Sequence, residues 1–388
     1  MSRSPPRIFA IFLRLGCTSF GGPIAHLGYL RAEFVARRQW LDDAAFADLV
    51  AICQFTPGPT SSKVGIAIGA SRAGLPGAIA AWLGFTLPSA LVMIAFGYGL
   101  ALLSPESLRA GWLHGLKIAA VAVVAQAVWS MGRQLCPDLT RAAFALAAAA
   151  LVLAWESALS PIAAIALGAL AGWRLVPPSD LPAGRFEFPV SRALGWSCWA
   201  LFFGLLAALP LFAQLVESDA AALFDSFYRA GSLVFGGGHV VLPLLRAEVV
   251  PSGWVNDDAF LAGYGLAQAL PGPLFTFAAY LGTVAGGWTG GLVALLAIFL
   301  PAFLLALGPL PFWRAWRAHP QIRSTLAGVN AVVVGILLAA LYDPIFTSAV
   351  RGALDLALAL AALALLFRRV SPLWVVAFAA IGGELLAA

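Results

Sequence analysis

The chain has 388 residues, 61% of them hydrophobic and 11% charged, with a net charge of +5 and a mean hydropathy of +0.91. A soluble domain carries roughly 25% charged residues, and this chain lacks the polar side chains that a water-facing surface needs. Soluble globular, disordered and nucleic-acid-binding proteins are excluded, and at roughly 20 residues per span the composition bounds an all-α polytopic membrane protein at about a dozen helices.

In chain order, the first helix carries Arg14 and runs into Phe20-Gly21-Gly22-Pro23, followed by His26, Arg31 and Glu33. Glycine runs let backbone N–H groups approach a ligand and form anion-binding concavities. Next come two helices of about a dozen residues, 44–55 and 58–73, too short to cross a bilayer. They are separated by Pro57-Gly58-Pro59, which breaks the helix because proline lacks the N–H and disfavours the α conformation before it. The restart places Thr60, Ser61, Ser62 and Lys63 in a first helical turn. There, unpaired N–H groups, the positive dipole end, hydroxyls and an ammonium together make an oxyanion site.

Long apolar stretches follow at 76–103, 111–133, 142–156 and 159–176. A polar, proline-bearing segment from Pro177 to Arg192 reads as a linker, and one further apolar helix occupies 193–213. The second half then opens with Arg229 and Phe235-Gly236-Gly237-Gly238-His239, with Glu248 beyond. It continues with Pro271-Gly272-Pro273, Leu274, Phe275 and Thr276, and with apolar stretches at 288–309, 323–342, 350–367 and 371–386.

The halves repeat each other. An offset of 215 carries Arg14 onto Arg229, Gly16 onto Gly231, Phe20 onto Phe235 and Glu33 onto Glu248. After single-residue slips Gln54 matches Gln268, Pro57-Gly58-Pro59 matches Pro271-Gly272-Pro273, Gly74 matches Gly287 and Pro88 matches Pro301. This divides the chain into a first repeat (1–176), a linker with an inverting helix (177–216) and a second repeat (217–388). Basic clusters at 133–141, 174–192, 314–323 and 368–369 fall on one side only if the repeats have inverted topology, which places the N-terminus in the cytoplasm. Nine or thirteen spans both fit.

Paired interrupted helices in inverted halves point to a transporter site near the midplane. The candidate substrate-binding residues are therefore Gly21, Gly22, Pro57, Gly58, Pro59, Thr60, Ser61, Ser62, Lys63, Gly236, Gly237, Gly238, Pro271, Gly272, Pro273 and Thr276, with Arg14 and Arg229 as charge partners. Intramembrane ionisable residues are costly, so Glu33, Glu248, His26 and His239 are the proton-coupling candidates; an ion pair with the arginine two residues earlier is the plainer role for each glutamate. Cys17, Cys53, Cys136 and Cys198 are dispersed and suggest neither a disulfide nor a metal site. No HExxH, GxSxG, P-loop or GxGxxG occurs, so the sequence offers no enzyme chemistry and no cofactor.

The stretches Phe20–Leu41, Ile52–Lys63 (ICQFTPGPTSSK), Phe85–Ala90 (FTLPSA), Phe235–His239 and Ala267–Pro273 resemble the chromate ion transporter family, as a long two-domain member. The resemblance implies a multi-pass exporter of the inner (plasma) membrane that confers chromate resistance, with sulfate as the structural analogue of its substrate. Membrane potential, with or without proton exchange as an antiporter, would drive it. A gated oxyanion channel, a carrier for sulfate or another oxyanion, and assembly as a homodimer stay open at this stage.

Overall fold

The computed structural model describes residues 4–20, 22–102, 111–155, 157, 159–177, 190–235, 240–316 and 319–387. Every regular element among them is helical. The first half comprises α1 (Pro5–Thr18), α2 (Gly22–Arg31) widening into a π-turn at Ala32–Arg37, α3 (Asp43–Phe55), α4 (Thr60–Leu102), α5 (Gly111–Leu135), α6 (Leu139–Ala154) and α7 (Ser160–Leu175). After α8 (Arg192–Val216) come α9 (Asp219–Ser232), α10 (Val241–Val249), α11 (Asp257–Ala269), a 3-10 turn at Leu274–Thr276 and α12 (Phe277–Leu307). The short α13 (Trp313–Trp316), α14 (Pro320–Ala340), α15 (Thr347–Ala349), α16 (Ala353–Phe367) and α17 (Pro372–Ala387) complete the order.

Local chemistry starts and stops these helices. Asp42 accepts the Ala45 N–H at 2.7 Å to cap α3, and Asn256 accepts the Ala259 N–H at 2.8 Å to cap α11. Thr56, before Pro57, is extended (φ −100°, ψ 153°), as a residue ahead of proline must be, and α3 ends there.

As one straight rod, the 43 residues of α4 would measure about 65 Å, twice the hydrocarbon thickness. The chain instead reverses at Ala73 and Gly74, where Gly74 adopts φ 62°, ψ −150°, a region that essentially only glycine occupies. Reversal is evident because Gly69 and Gly77 face each other so closely that a Cβ on either would strike the other's carbonyl. In α12 the same happens at Gly286 and Gly287 (φ 67°, ψ −162°), with Gly282 against Gly290. The Arg72 guanidinium lies 4.5 Å from the centre of the Trp40 ring, so the start of α3 and the end of the 60–72 arm share one end of the molecule. The 13-residue α3 and the 60–72 arm thus form a re-entrant hairpin with Pro57–Pro59 at its tip; each arm is about 20 Å long and stops short of a crossing.

Five segments are long and apolar enough to cross a membrane: Thr60–Leu100, Gly111–Leu135, Arg192–Val216, Leu274–Phe312 and Pro320–Ala349. Two of them contain the kinks just described, so their crossing portions begin after Gly74 and Gly287. Four shorter apolar helices accompany them: Leu139–Ala154, Ser160–Leu175, Ala353–Phe367 and Pro372–Leu386. The halves interlock: α14 packs on α6 and α7, while α5 packs on α16 and α17. Small residues permit this closeness, Gly172 facing Gly328 and Gly115 facing Gly383. Helix α8 exposes Trp196, Leu201, Phe203 and Leu211, the surface of a helix meant for lipid. Together these features make a polytopic α-helical membrane protein.

Candidate functional site

Each of the two proline-glycine-proline tips is hydrogen-bonded to the opposite half. Gly58, at φ 106°, donates its N–H to the Val234 carbonyl at 2.6 Å. Gly272, at φ 98°, donates its N–H to the Ser19 carbonyl at 2.9 Å. Each bond joins a tip to the residue before a Phe-Gly-Gly turn, so one pattern occurs twice, in exchange between halves. Only glycine serves here: its φ is left-handed, and a Cβ on Gly272 would sit 2.8 Å from Ser89 Oγ.

Lys63 lies one turn into the 60–72 arm and is fully buried. Its ammonium donates to Thr56 O at 2.6 Å, Thr56 Oγ1 at 2.9 Å and Pro57 O at 2.8 Å. These oxygens sit at the negative end of the α3 dipole, and no carboxylate among the described residues forms an ion pair with the ammonium. Hydrogen bonding is therefore complete while the charge stays uncompensated. A buried uncompensated charge is expensive, and an anion relieves it.

Further hydroxyls line the first hairpin and the helices packed against it. His26 Nε2 lies 3.1 Å from the Ser19 carbonyl, which only accepts, so Nε2 carries the proton. In the neutral ring Nδ1 then faces Ser61 Oγ at 3.4 Å as an acceptor. Ser62 Oγ, Ser19 Oγ and Thr86 Oγ1 are buried without a hydrogen-bond partner, and Ser89 Oγ donates to Thr86 O at 3.2 Å. The first-turn N–H groups of Thr60, Ser61 and Ser62 have no acceptor within their helix. The second tip is poorer: Leu274 and Phe275 are buried there, and Thr276 spends its hydroxyl on Pro273 O at 2.8 Å.

Of the predicted residues, Gly272 of the second tip and Ser61 of the first are linked through the Ser19 carbonyl and the His26 ring, while Lys63 turns back to Thr56 and Pro57 of its own tip; Gly22 opens α2 at φ 74°. Gly21, Gly236, Gly237, Gly238 and His239 lie outside the described residues. Arg14 and Arg229 are not gathered at Lys63. Arg14 is 53% exposed and pairs with Glu33 at 2.6 Å; Arg229 pairs with Glu248 at 2.9 Å. Glu33 and Glu248 do not pair with the arginines two residues before them: Arg31 reaches Asp43 at 2.7 Å, and Arg246 reaches Asp257 at 2.8 Å.

The two glutamates, both outside the five long segments, differ in company. Burial pushes the Glu33 carboxyl up, but the Arg38 hydrogen bond and the charges of Arg38, Arg14 and Arg37 outweigh it and hold the group below its usual range. Glu248 shares Arg229 with Asp225, which lies 3.0 Å from the same guanidinium. Burial raises both of these carboxyls, against the one arginine. Sequence reasoning missed Asp225, Ser19, Thr56, Thr86 and Ser89. For Thr86 and Ser89 a signal existed, since hydroxyls three residues apart share a face of an otherwise apolar helix.

A buried cation without an anionic partner among the described residues, held at the tip of a re-entrant hairpin inside a bundle of membrane-crossing helices, fits a membrane transport protein. The chain belongs to the chromate transporter family, whose model matches residues 6–173 and 221–384. A chromate transport protein of Pseudomonas aeruginosa is 31% identical over 357 residues, covering 88% of this chain and 81% of the relative. One from Cupriavidus metallidurans is 29% identical over 381 residues, covering 96% and 90%. An uncharacterized transporter of Bacillus subtilis, YwrA, is 39% identical over 118 residues, which is 30% of this chain and 66% of the relative. No solved structure matches. The protein is thus a multi-pass transporter of the plasma membrane.

Proposed function

We propose that the protein exports chromate, a tetrahedral dianion that sulfate mimics, from the cytoplasm and so confers chromate resistance. The observation that carries this reading is the buried Lys63 ammonium at the first interruption, uncompensated by any carboxylate among the described residues. The names of the Pseudomonas and Cupriavidus relatives support the choice of oxyanion. Lys63 offsets the charge, and the unpartnered Ser62 and Ser19 hydroxyls with the N–H groups of Thr60 and Ser61 take the oxygens.

Residues 1–176 and 217–388 are read as inverted repeats joined by 177–216. Nine helices cross in this reading: the five long segments, without their re-entrant arms, and the four shorter apolar helices. Rocking of one half against the other opens the site to either side. Moving one charge through 100 mV is worth about 2.3 kcal/mol, so a dianion gains about 4.6 kcal/mol on leaving a negative interior, roughly three decades of gradient. Proton exchange adds to this through Asp225 and Glu248, two carboxyls sharing the single guanidinium of Arg229.

The test is chromate uptake into inside-out membrane vesicles containing the protein. Uptake should rise with an interior-positive potential and fall when sulfate is added in excess. Chromate movement equal to that of protein-free vesicles would reject the reading.

A further inference from the structure

A second polar feature lies off the central site. At the end of the molecule where α5 finishes and α14 begins, a cavity of about 210 Å³ is lined by Gln54, Gln134, Arg141, Trp313, Arg323 and Asn330, among others. No aspartate or glutamate lines it. Arg141 is already neutralised, its Nη2 lying 2.6 Å from Asp138 Oδ2. Arg323 has no ion pair among the described residues, and its Nε–H is buried without an acceptor. Arg323, Ala327 and Asn330 follow one another at helical spacing along a single face of α14, so this face is turned to the cavity as a unit.

We propose that this cavity is a vestibule in which a tetrahedral oxyanion from the cytoplasm binds before it reaches the hairpin tip, with Arg323 as its charge partner and Gln54, Gln134 and Asn330 as its hydrogen-bond donors. The proposal rests on the oxyanion reading above. A guanidinium fork matches two oxygens of a tetrahedral anion, and amide N–H groups donate to the remaining oxygens without adding charge. Position supports the role. Gln54 stands two residues before Thr56, whose oxygens hold Lys63, and the Phe55 ring between them packs 5.4 Å from Trp313. Gln54 is exposed to the cavity, whereas the Nε2 of its repeat partner Gln268 is buried and unpartnered. Open on the first tip and closed on the second, the molecule receives an anion from one side. Arg133, Arg141 and Arg323 at that end make it the cytoplasmic side by the excess of basic residues.

The test presents chromate to the cytoplasmic face of inside-out vesicles and fits KM and Vmax. Arg323→Gln should raise KM about tenfold, the effect of one charge-assisted contact, with Vmax within about twofold. Arg323→Lys should recover most of the affinity, and Arg133→Gln, an exposed arginine outside the cavity, should match the parent chain. Repeating the measurement in proteoliposomes of phosphatidylcholine alone separates an oxyanion site from one for acidic lipid headgroups. If the KM effect vanishes there, the cavity held a lipid phosphate and the proposal is wrong. Should Arg323→Gln fail to reach the membrane, Asn330→Leu, which fills the cavity with an apolar side chain, must raise KM; an unchanged KM overturns the vestibule. Parent vesicles without chromate flux overturn the vestibule and the transport reading together, while parent flux with variant KM unaltered overturns the vestibule alone.

Discussion

Lys63 holds three neutral oxygens and, among the described residues, no carboxylate, which separates its structural duty from its electrostatic one. Lys63→Gln keeps a donor for Thr56 or Pro57 and removes the charge. The chain should therefore accumulate in the membrane while chromate flux falls by about two orders of magnitude, as expected when a buried charge-assisted partner worth roughly 3 kcal/mol is lost; vesicle uptake normalised to protein measures this. Glu33 makes a prediction of the opposite kind. Its carboxyl is depressed, so the stability it contributes is present above the usual carboxylate range near 4.5 and is lost as pH falls through its lower folded value. Thermal unfolding in detergent should show Glu33→Gln less stable than the parent at pH 7, with the difference shrinking toward pH 4 and below. Lys63 was legible because it follows a helix break at a fixed spacing. Of the partners of Glu33, Arg37 lies one helical turn on, whereas Arg14 is 19 residues away and reaches it only through folding; Arg31, two residues away, is drawn to Asp43 instead.

At the scale of elements, the re-entrant hairpins were readable from proline and glycine. The sequence predicts an arm ending at residue 73 and a span beginning at 76, and the chain reverses at Ala73 and Gly74. What proline and glycine do not announce is which surfaces meet afterwards. The Gly69–Gly77 and Gly282–Gly290 contacts set how tightly each arm folds onto its own crossing helix. Gly77→Leu should wedge the first hairpin open, lowering the unfolding temperature in detergent and abolishing flux, whereas Gly99→Leu, where a Cβ has nothing within 4 Å, should be tolerated. The bonds Gly58 to Val234 and Gly272 to Ser19 were beyond sequence reasoning, because each joins residues more than 170 positions apart and neither carries a local signature.

At the scale of the molecule, the halves resemble each other in chain order but not in charge. Around Glu33 one carboxyl faces three arginines; around Glu248 two carboxyls face one. Among the described residues, no further ionisable group joins the second cluster: α12 carries no Asp, Glu, Lys, Arg or His, the charged member of α8 is Arg192 at its start, and Arg246 on α10 is committed to Asp257. Raised carboxyls bind protons at higher pH than free ones, so in the proposed antiport this cluster is the group that would take up a proton on the acidic side and release it on the alkaline side. With the potential clamped at zero, a pH gradient should drive chromate through the parent protein. The double variant Asp225→Asn, Glu248→Gln should lose that component and keep the potential-driven one.

The interlocked packing of α5 with α16 and α17, and of α14 with α6 and α7, also sets a timetable. Helix α7 is complete at Leu175, but its partner α14 begins at Pro320, roughly 145 residues later. At about 5–20 residues per second of synthesis, the first half waits on the order of ten seconds in the bilayer with its small-residue faces uncovered. During that interval lipid or an insertion factor must shield it, and a chain interrupted within the linker leaves a fragment for quality control to remove. Two separately made halves, produced together, should find each other and survive where either alone is degraded.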